Sequence, residues 1–312
     1  MTAIPLGSGP EFDRIRAIAS ALGRSARGLG DDCAFVPQGE EWLALSTDVS
    51  VERVHFRRDW LSLEEIGWRA AASALSDLAA AGATEPVALA ALTVPPQEPT
   101  ETFASLMRGV GAALAAAGGV VIGGDLSQGD AIALAITVVG RAKRVMGRRG
   151  AEPGDALWVT GALGGARAAL AAWNAGRTPD RAARARFAHP EPRLEAGRWL
   201  VDHGAKAMLD LSDGLAGDAK HLAAASGVAL RIDLGSLPIE SGIREAGTAG
   251  EPAEAFAARG GEDYELLVAM PPAFTGTAEF QFTRIGQVSA GAGVTLTLND
   301  RPLTLTGYDH FA

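Results

Sequence analysis

The sequence contains a single cysteine, Cys33. That excludes an internal disulfide and leaves no second thiolate for a metal site, so a small buried hydrophobe is the expected role. No run of about 18 apolar residues free of glycine and charge occurs, so no membrane span is expected. The opening "MTAIPLGSGPEFDRI" lacks a basic segment followed by an apolar stretch, so no signal peptide is read there. Positive charge is also in short supply: 28 Lys and Arg against 37 Asp and Glu give a net charge of -9. An acidic chain lacks the basic footprint that a nucleic-acid backbone requires, and it suits divalent cations. Walker-type G-K-[ST] endings are absent, and the five histidines show no metal-ligand spacing. A cytoplasmic protein with neither nucleic-acid nor membrane partners is expected.

What is present is glycine, aspartate and apolar chain. The 312 residues exceed one ordinary core, so two domains are expected. The stretch "RAKRVMGRRGAEPGD", basic and then rich in Pro and Gly, marks the boundary and predicts domains over 1–146 and 147–312. Helical spacing is read over 13–22. "WLALSTD" reads as a strand over 42–48. Ser62 and Glu65 open a helix as a capping box, with Gly82 placed to end it. "VALAALTV" is a buried strand, residues 101–117 a helix, and "VVIGGDLSQGD" a strand entering a glycine turn that holds Asp125. "AIALAITVVG" completes the first half. The second half reads as strand "ALWVTG", helix "ALGGARAALAAWNAG", an exposed charged segment "TPDRAARARFAHPEPR", a further helix, and then strand, turn, helix and strand across "AMLDLSDGLAGDAKHLAAASGVALRIDL". Mixed strands and helices without a strict alternating beat predict two α+β layers.

Chemistry is signalled by where the aspartates fall. Asp32, Asp48, Asp125, Asp210 and Asp213 read as standing at junctions between strands and loops, and Asp77 lies inside an Ala-rich helix. Any one of them reads as a backbone cap. Together, in Gly-flanked turns with Ser and Thr beside them, they form a set of hard oxygen ligands suited to magnesium, and so to nucleotide chemistry. His55 follows Asp48 closely; His189 and His203 read as surface residues.

Eight ordered motifs, "GLGDDCAF", "STDVSVERVHF", "LSDLAAAGA", "VIGGDLSQG", "GRRGAEPGDALWVTG", "AMLDLSDGLAGDAKH", "GGEDYELL" and "GYDHF", together resemble the thiamine-monophosphate kinase family of the aminoimidazole ribonucleotide synthetase-like superfamily. The resemblance spans nearly the whole chain. It implies a two-domain α+β fold, each domain a mixed sheet covered by helices, the first serving dimerisation and metal and nucleotide binding, the second completing a cleft. It implies phosphoryl transfer from ATP to thiamine monophosphate with several Mg2+ ions, in a homodimer paired through its N-terminal sheets. Position by position, the metal ligands implied are Asp32, Ser46, Thr47, Asp48, Asp77, Asp125, Asp210 and Asp213. Gly124, Asp125, Arg148 and Ser212 match nucleotide contacts, and His55, Glu262 and Tyr308 line the thiamine phosphate pocket. Asp48, Asp77, Asp125, Asp210 and Arg148 are the implied catalytic set. Where the family commonly reads "GGDTTRG" this chain has Leu126 and Gln128, and Arg149 replaces a usual serine. A related enzyme with another acceptor, or a silent nucleotide-binding regulator, is the alternative reading.

Overall fold

A computed structural model describes residues 4–243 and 250–311. Its first half contains α1 (Pro10–Leu22), β1 (Ala34–Gln38), β2 (Glu41–Val51), α2 (Leu63–Ala80), β3 (Thr84–Val94), α3 (Thr100–Ala116), β4 (Val120–Gln128) and β5 (Ala133–Ala142). The strands form one sheet in the order β1-β2-β5-β3-β4. Only β3 and β4 run parallel, because α3 provides the crossover that a parallel pair needs. Alternation sets two faces: Leu134, Ile136 and Val138 of β5 are fully buried beneath the helices. The opposite face leaves Val49, Leu89, Val120 and Ile122 each 44–62% exposed.

The second half contains β6 (Ala156–Thr160), α4 (Gly165–Asn174), α5 (Arg181–Ala188), α6 (Leu194–Asp202), β7 (Ala207–Asp210), α7 (Leu215–Ser226), β8 (Ala229–Asp233), α8 (Ala253–Ala258), β9 (Leu266–Met270), β10 (Phe282–Ser289), β11 (Gly293–Leu298) and β12 (Arg301–Leu303). They build a mixed sheet in the order β12-β11-β8-β10-β6-β9-β7, in which β8 and β11 pair in parallel. Both halves are thus α+β layers. Among the described residues, no helix is long and apolar enough to cross a membrane.

Helix α2 joins the halves. Its capping box is closed in both directions between Ser62 and Glu65, and thirteen of its 18 residues are buried, so it is a core helix rather than a surface one. Against α3 it comes so close that a Cβ on Gly109 would stand 1.9 Å from the Glu64 carbonyl. Against the second half, a Cβ on Gly197 of α6 would stand 2.1 Å from the Ala79 carbonyl. Small residues at these crossings let the helix be shared by two hydrophobic cores. Along its otherwise Ala- and Leu-rich interior, Arg69, Ser73, Ser76 and Asp77 fall at i, i+4, i+7 and i+8, which is one polar stripe.

Three local readings differ from the structure. The segment expected to be exposed and charged contains α5: Asp180 caps it by accepting from the Ala182 and Ala183 amides, and Ala183 and Phe187, four apart, are buried. The expected glycine turn around Asp125 is continuous strand, since β4 stays paired with β3 from Val120 to Gln128 through a single register shift. Asp48 lies within β2 rather than at its end. Cys33 is buried and free as expected.

Candidate active site

Strand alternation sends successive residues of β2 to opposite sides. Ser46 and Asp48 pair with Val138 and Ile136 and so face α2. Ser46 Oγ donates to Asp77 Oδ2 at 2.5 Å. Thr47 takes the open face, where its hydroxyl lies 3.0 Å from that of Thr137. The row Val49, Ala135, Ala91, Asp125 runs across the same open face. Asp125 is therefore three strands from β2 and on the other side of the sheet from Asp48 and Asp77. Gly124 faces the helices beside Ala90, where a Cβ would meet the Ala90 carbonyl at 1.9 Å.

Three carboxylates converge from separate segments. Asp32 comes from the loop before β1, Asp77 from α2 and Asp210 from the last position of β7, and one oxygen of each lies within 4.8 Å of the others. Ser76 Oγ donates to Asp210 at 2.7 Å. Arg148 donates through Nε and Nη2 to one Asp32 oxygen at 3.0 and 2.5 Å, while the other Asp32 oxygen is buried without a hydrogen-bond partner. Burial, reinforced by Asp210, Asp48 and Asp32, pushes the Asp77 carboxyl well above its ordinary range. Burial and then Asp32 push Asp210 up to about 8. Asp31, raised to about 6 by burial and Asp32, accepts from the Arg148 amide at 2.9 Å. Adjacent Asp31 and Asp32 are thus reconciled by one arginine, bound through its backbone and its side chain. Burial opposes the Arg148 charge, but Asp32 outweighs it and the guanidinium holds its proton more tightly than usual.

Two loops of the second half complete the site by pairing with each other. The Glu262 amide donates to the Ser212 carbonyl at 2.7 Å, Tyr264 to Leu211 at 3.0 Å and Leu211 to Glu265 at 2.7 Å. Glu262 and Tyr264 have φ of 67° and 52°, left-handed conformations that side chains rarely adopt and that those hydrogen bonds hold in place. Asp213, pushed up to about 6 by burial and then by Glu11, has its amide tied to Asp218 at 3.2 Å. The Tyr308 amide donates to the Asp213 carbonyl at 2.8 Å, docking the C-terminal segment.

A cavity of about 1150 Å³ opens onto these groups. Asp48, Asp77 and Asp210 line it together with His55, Ser212, Asp213, Glu262 and Tyr308, whereas Asp32 and Arg148 do not. The acidic group therefore separates a large cavity from a fixed cation. His55 Nδ1 accepts from the Val51 amide at 3.0 Å, which leaves Nε2 as the protonated nitrogen. Burial, and then His310 with its ring 5.1 Å away, lower the His55 pKa and favour the neutral form.

Family models agree with this architecture. Residues 30–142 match the N-terminal domain, and residues 152–299 the C-terminal domain, of AIR synthase related proteins. The thiamine-monophosphate kinase of Salmonella typhimurium is 36% identical over 321 residues, covering 96% of each chain. That of Halobacterium salinarum is 35% identical over 284 residues, covering 89% of this chain and 93% of the relative. The chain belongs to the thiamine-monophosphate kinase family. Among solved members, AaThiL complexed with AMPPCP and TMP superimposes with a TM-score of 0.89 at 32% identity, covering 96% of this chain and 97% of that one. A hydrogenase maturation complex aligns with a TM-score of 0.76 at 17% identity, a likeness of fold alone.

Roles do not follow from the motifs for every residue at the site, although Ser76, Asp218 and Glu265 lie within them; Arg69 lies outside. Arg69, Ser76, Asp218 and the Glu265 network, in which Arg186, Arg193 and Thr160 surround a fully buried carboxylate, were not singled out from sequence. For Arg69 and Ser76 a signal existed: the polar stripe along α2 that contains Asp77.

Proposed function

We propose that this chain transfers the γ-phosphoryl group of ATP to thiamine monophosphate, giving thiamine diphosphate and ADP, as a cytoplasmic homodimer. The observation that carries this reading is the convergence of Asp32, Asp77 and Asp210 between a large cavity and Arg148. Hard oxygen donors, a buried Asp32 oxygen without a partner, and carboxyls whose proton affinity is raised by burial and by neighbouring aspartates fit a divalent cation. Asp32, Asp77 and Asp210, with Asp48, Asp213 and Ser46 nearby, would hold magnesium, which supplies positive charge to screen two phosphorylated substrates from each other.

The protein's own groups position the reactants. A phosphate monoester has a second pKa near 6, so the acceptor oxygen is already ionised and no general base is required. That oxygen bonds to the γ-phosphorus as the bond to ADP breaks, and the electron pair leaves with ADP. Arg148, fixed by Asp31 and Asp32, supplies a preorganised cation on the nucleotide side, whereas Ser212 lines the cavity and Gly124 lies on β4, three strands from β2. In the cavity, His55 offers an Nε2–H donor, Glu262 a carboxylate suited to the cationic thiazolium or the aminopyrimidine, and Tyr308 an aromatic wall.

The open face of the first sheet supports the dimer. Four large apolar side chains stand exposed there beside an unpaired edge strand, the arrangement that a second copy covers. Thr47 and Asp125 would then lie at that interface. The direct test is incubation with ATP, magnesium and thiamine monophosphate followed by chromatography; thiamine diphosphate is expected, and its absence would refute the reading.

A further inference from the structure

Arg69 is a buried cation that the chemistry above leaves unused. It lies on α2, is 3% exposed, and its guanidinium reaches two segments of the second half. Nη1 donates to the Phe187 carbonyl at 2.7 Å, and the guanidinium carbon stands 3.8 Å over the Phe187 ring. Nη2 forms an ion pair with Glu262. Burial lowers the Arg69 pKa, with Tyr264 and Asp48 acting in the opposite direction. A guanidinium keeps its charge even when so enclosed, and a buried charge without partners is costly, so its contacts are close to obligatory.

Its ion-pair partner is a residue whose backbone conformation needs support. Glu262 has a left-handed backbone between Gly261 and Asp263. Its amide donates to the Ser212 carbonyl, while the buried Oε2 of its carboxylate has no hydrogen-bond partner among the described residues and meets the Arg69 guanidinium as an ion pair. A carboxylate at a cavity wall can turn toward solvent or toward a ligand. A charge planted on a rigid, fully packed helix selects one of those orientations.

We propose that Arg69 is a positioning residue for acceptor recognition: it fixes the Glu262 carboxylate at the wall of the cavity where the cationic heterocycle of the acceptor binds. This rests on the kinase reading above. The planar fork explains why arginine suits the position, since one edge serves Phe187 and the other Glu262. Asp77 is on the same helix face, so the residue that orients acceptor recognition and a residue of the acidic cluster are held in one rigid element.

The test is a double-mutant cycle with Arg69→Met and Glu262→Gln, read as KM for thiamine monophosphate, KM for ATP and kcat. Arg69→Met should raise KM for thiamine monophosphate about tenfold, with kcat and KM for ATP within about threefold of wild type. In the Glu262→Gln background the same substitution should add little, because the group it orients is already gone. Arg69→Lys should recover part of the loss, as one donor can still reach Glu262. Equal losses in both backgrounds would mean that Arg69 acts on the acceptor directly, and wild-type constants would mean that it acts on neither; each overturns the proposal. If Arg69→Met does not fold, Arg69→Lys in the two backgrounds carries the same comparison: a raised KM confined to the Glu262 background supports the proposal, and equal or absent effects refute it. Wild-type turnover is measured first, so failure of the kinase reading shows there and not in the pattern among variants.

Discussion

Ser76 Oγ donates to Asp210 Oδ2 at 2.7 Å, a hydrogen bond from a helix of the first half to the last residue of a strand in the second. It is buried, and it lowers a proton affinity that burial and Asp32 raise. Ser76→Ala should destabilise the protein by about 1 to 2 kcal/mol, since a buried acceptor loses its donor. It should also move the magnesium dependence of turnover to higher concentration, because Asp210 holds its proton more firmly. Thermal denaturation and a magnesium titration check the two effects separately.

The pH dependence of stability has a sign fixed by the same groups. Asp77 is raised well above its ordinary range, and Asp210 and Asp263 are each raised to about 8, all chiefly by burial. In the unfolded chain such carboxyls ionise near 3.9. Between about pH 4 and 8 the folded protein retains protons that the unfolded chain has released, so rising pH lowers stability through this window. Metal-free protein should therefore melt at higher temperature near pH 6 than near pH 8, and magnesium should stabilise it more at the higher pH. Asp263 is outside the acidic cluster and accepts from the Gly164 amide at 2.8 Å. Asp263→Asn should flatten part of the pH dependence in metal-free protein and leave the magnesium effect intact, measured by melting with and without chelator.

Much of this was legible in the residues. The capping box predicted the start of α2, continuous apolar runs predicted β3 and β5, and an aspartate amid alanines drew attention to the helix that joins the halves. Other features depend on tertiary context. Five arginines, from Arg177 to Arg193 inclusive, hide the apolar spacing of Ala183 and Phe187, and so hide α5. Gly123 and Gly124 suggest a turn, but here glycine permits close approach of β4 to β3. Ser46 and Thr47 carry similar hydroxyls; only the register of β2 against β5 separates the one that reaches Asp77 from the one on the open face. The role of Arg69 is not legible in the sequence because its meaning lies in partners about 120 and 190 residues distant, at Phe187 and Glu262.

The open sheet face yields a prediction about assembly. Ile122 is 62% exposed and Leu89 44% exposed on neighbouring strands. Replacing both with aspartate places charge in the middle of an apolar surface and should convert a dimer to monomer, while the core behind the sheet is untouched. Light scattering after size exclusion distinguishes the outcomes. A monomeric wild-type protein would remove this face as the reason for assembly.

Arg148 should act on catalysis rather than on acceptor affinity. Its side chain is bound by Asp32 and its amide by Asp31, and it does not line the cavity. Arg148→Lys keeps a positive charge but loses the fork that engages Asp32, so kcat should fall by about 100-fold with KM for thiamine monophosphate little changed. An effect confined to that KM would move Arg148 to the acceptor side of the acidic group.

Asp77→Asn separates the charge of the acidic cluster from its shape. Asparagine has nearly the same volume, and its carbonyl oxygen can still accept from Ser46, so the close packing of α2 against β2 is retained. What disappears is a carboxyl that burial keeps protonated in the metal-free protein and that can ionise only when a cation arrives. The metal-free variant should melt near the wild-type temperature at pH 6 and above it at higher pH, since asparagine stays neutral where the buried Asp77 carboxyl would be forced to ionise. Its turnover should fall by about 1000-fold or more, and magnesium should no longer raise its melting temperature. A variant that kept activity within about tenfold while losing stability would assign Asp77 a role in folding alone, because a residue chosen for packing loses stability when altered, whereas one chosen for charge loses function.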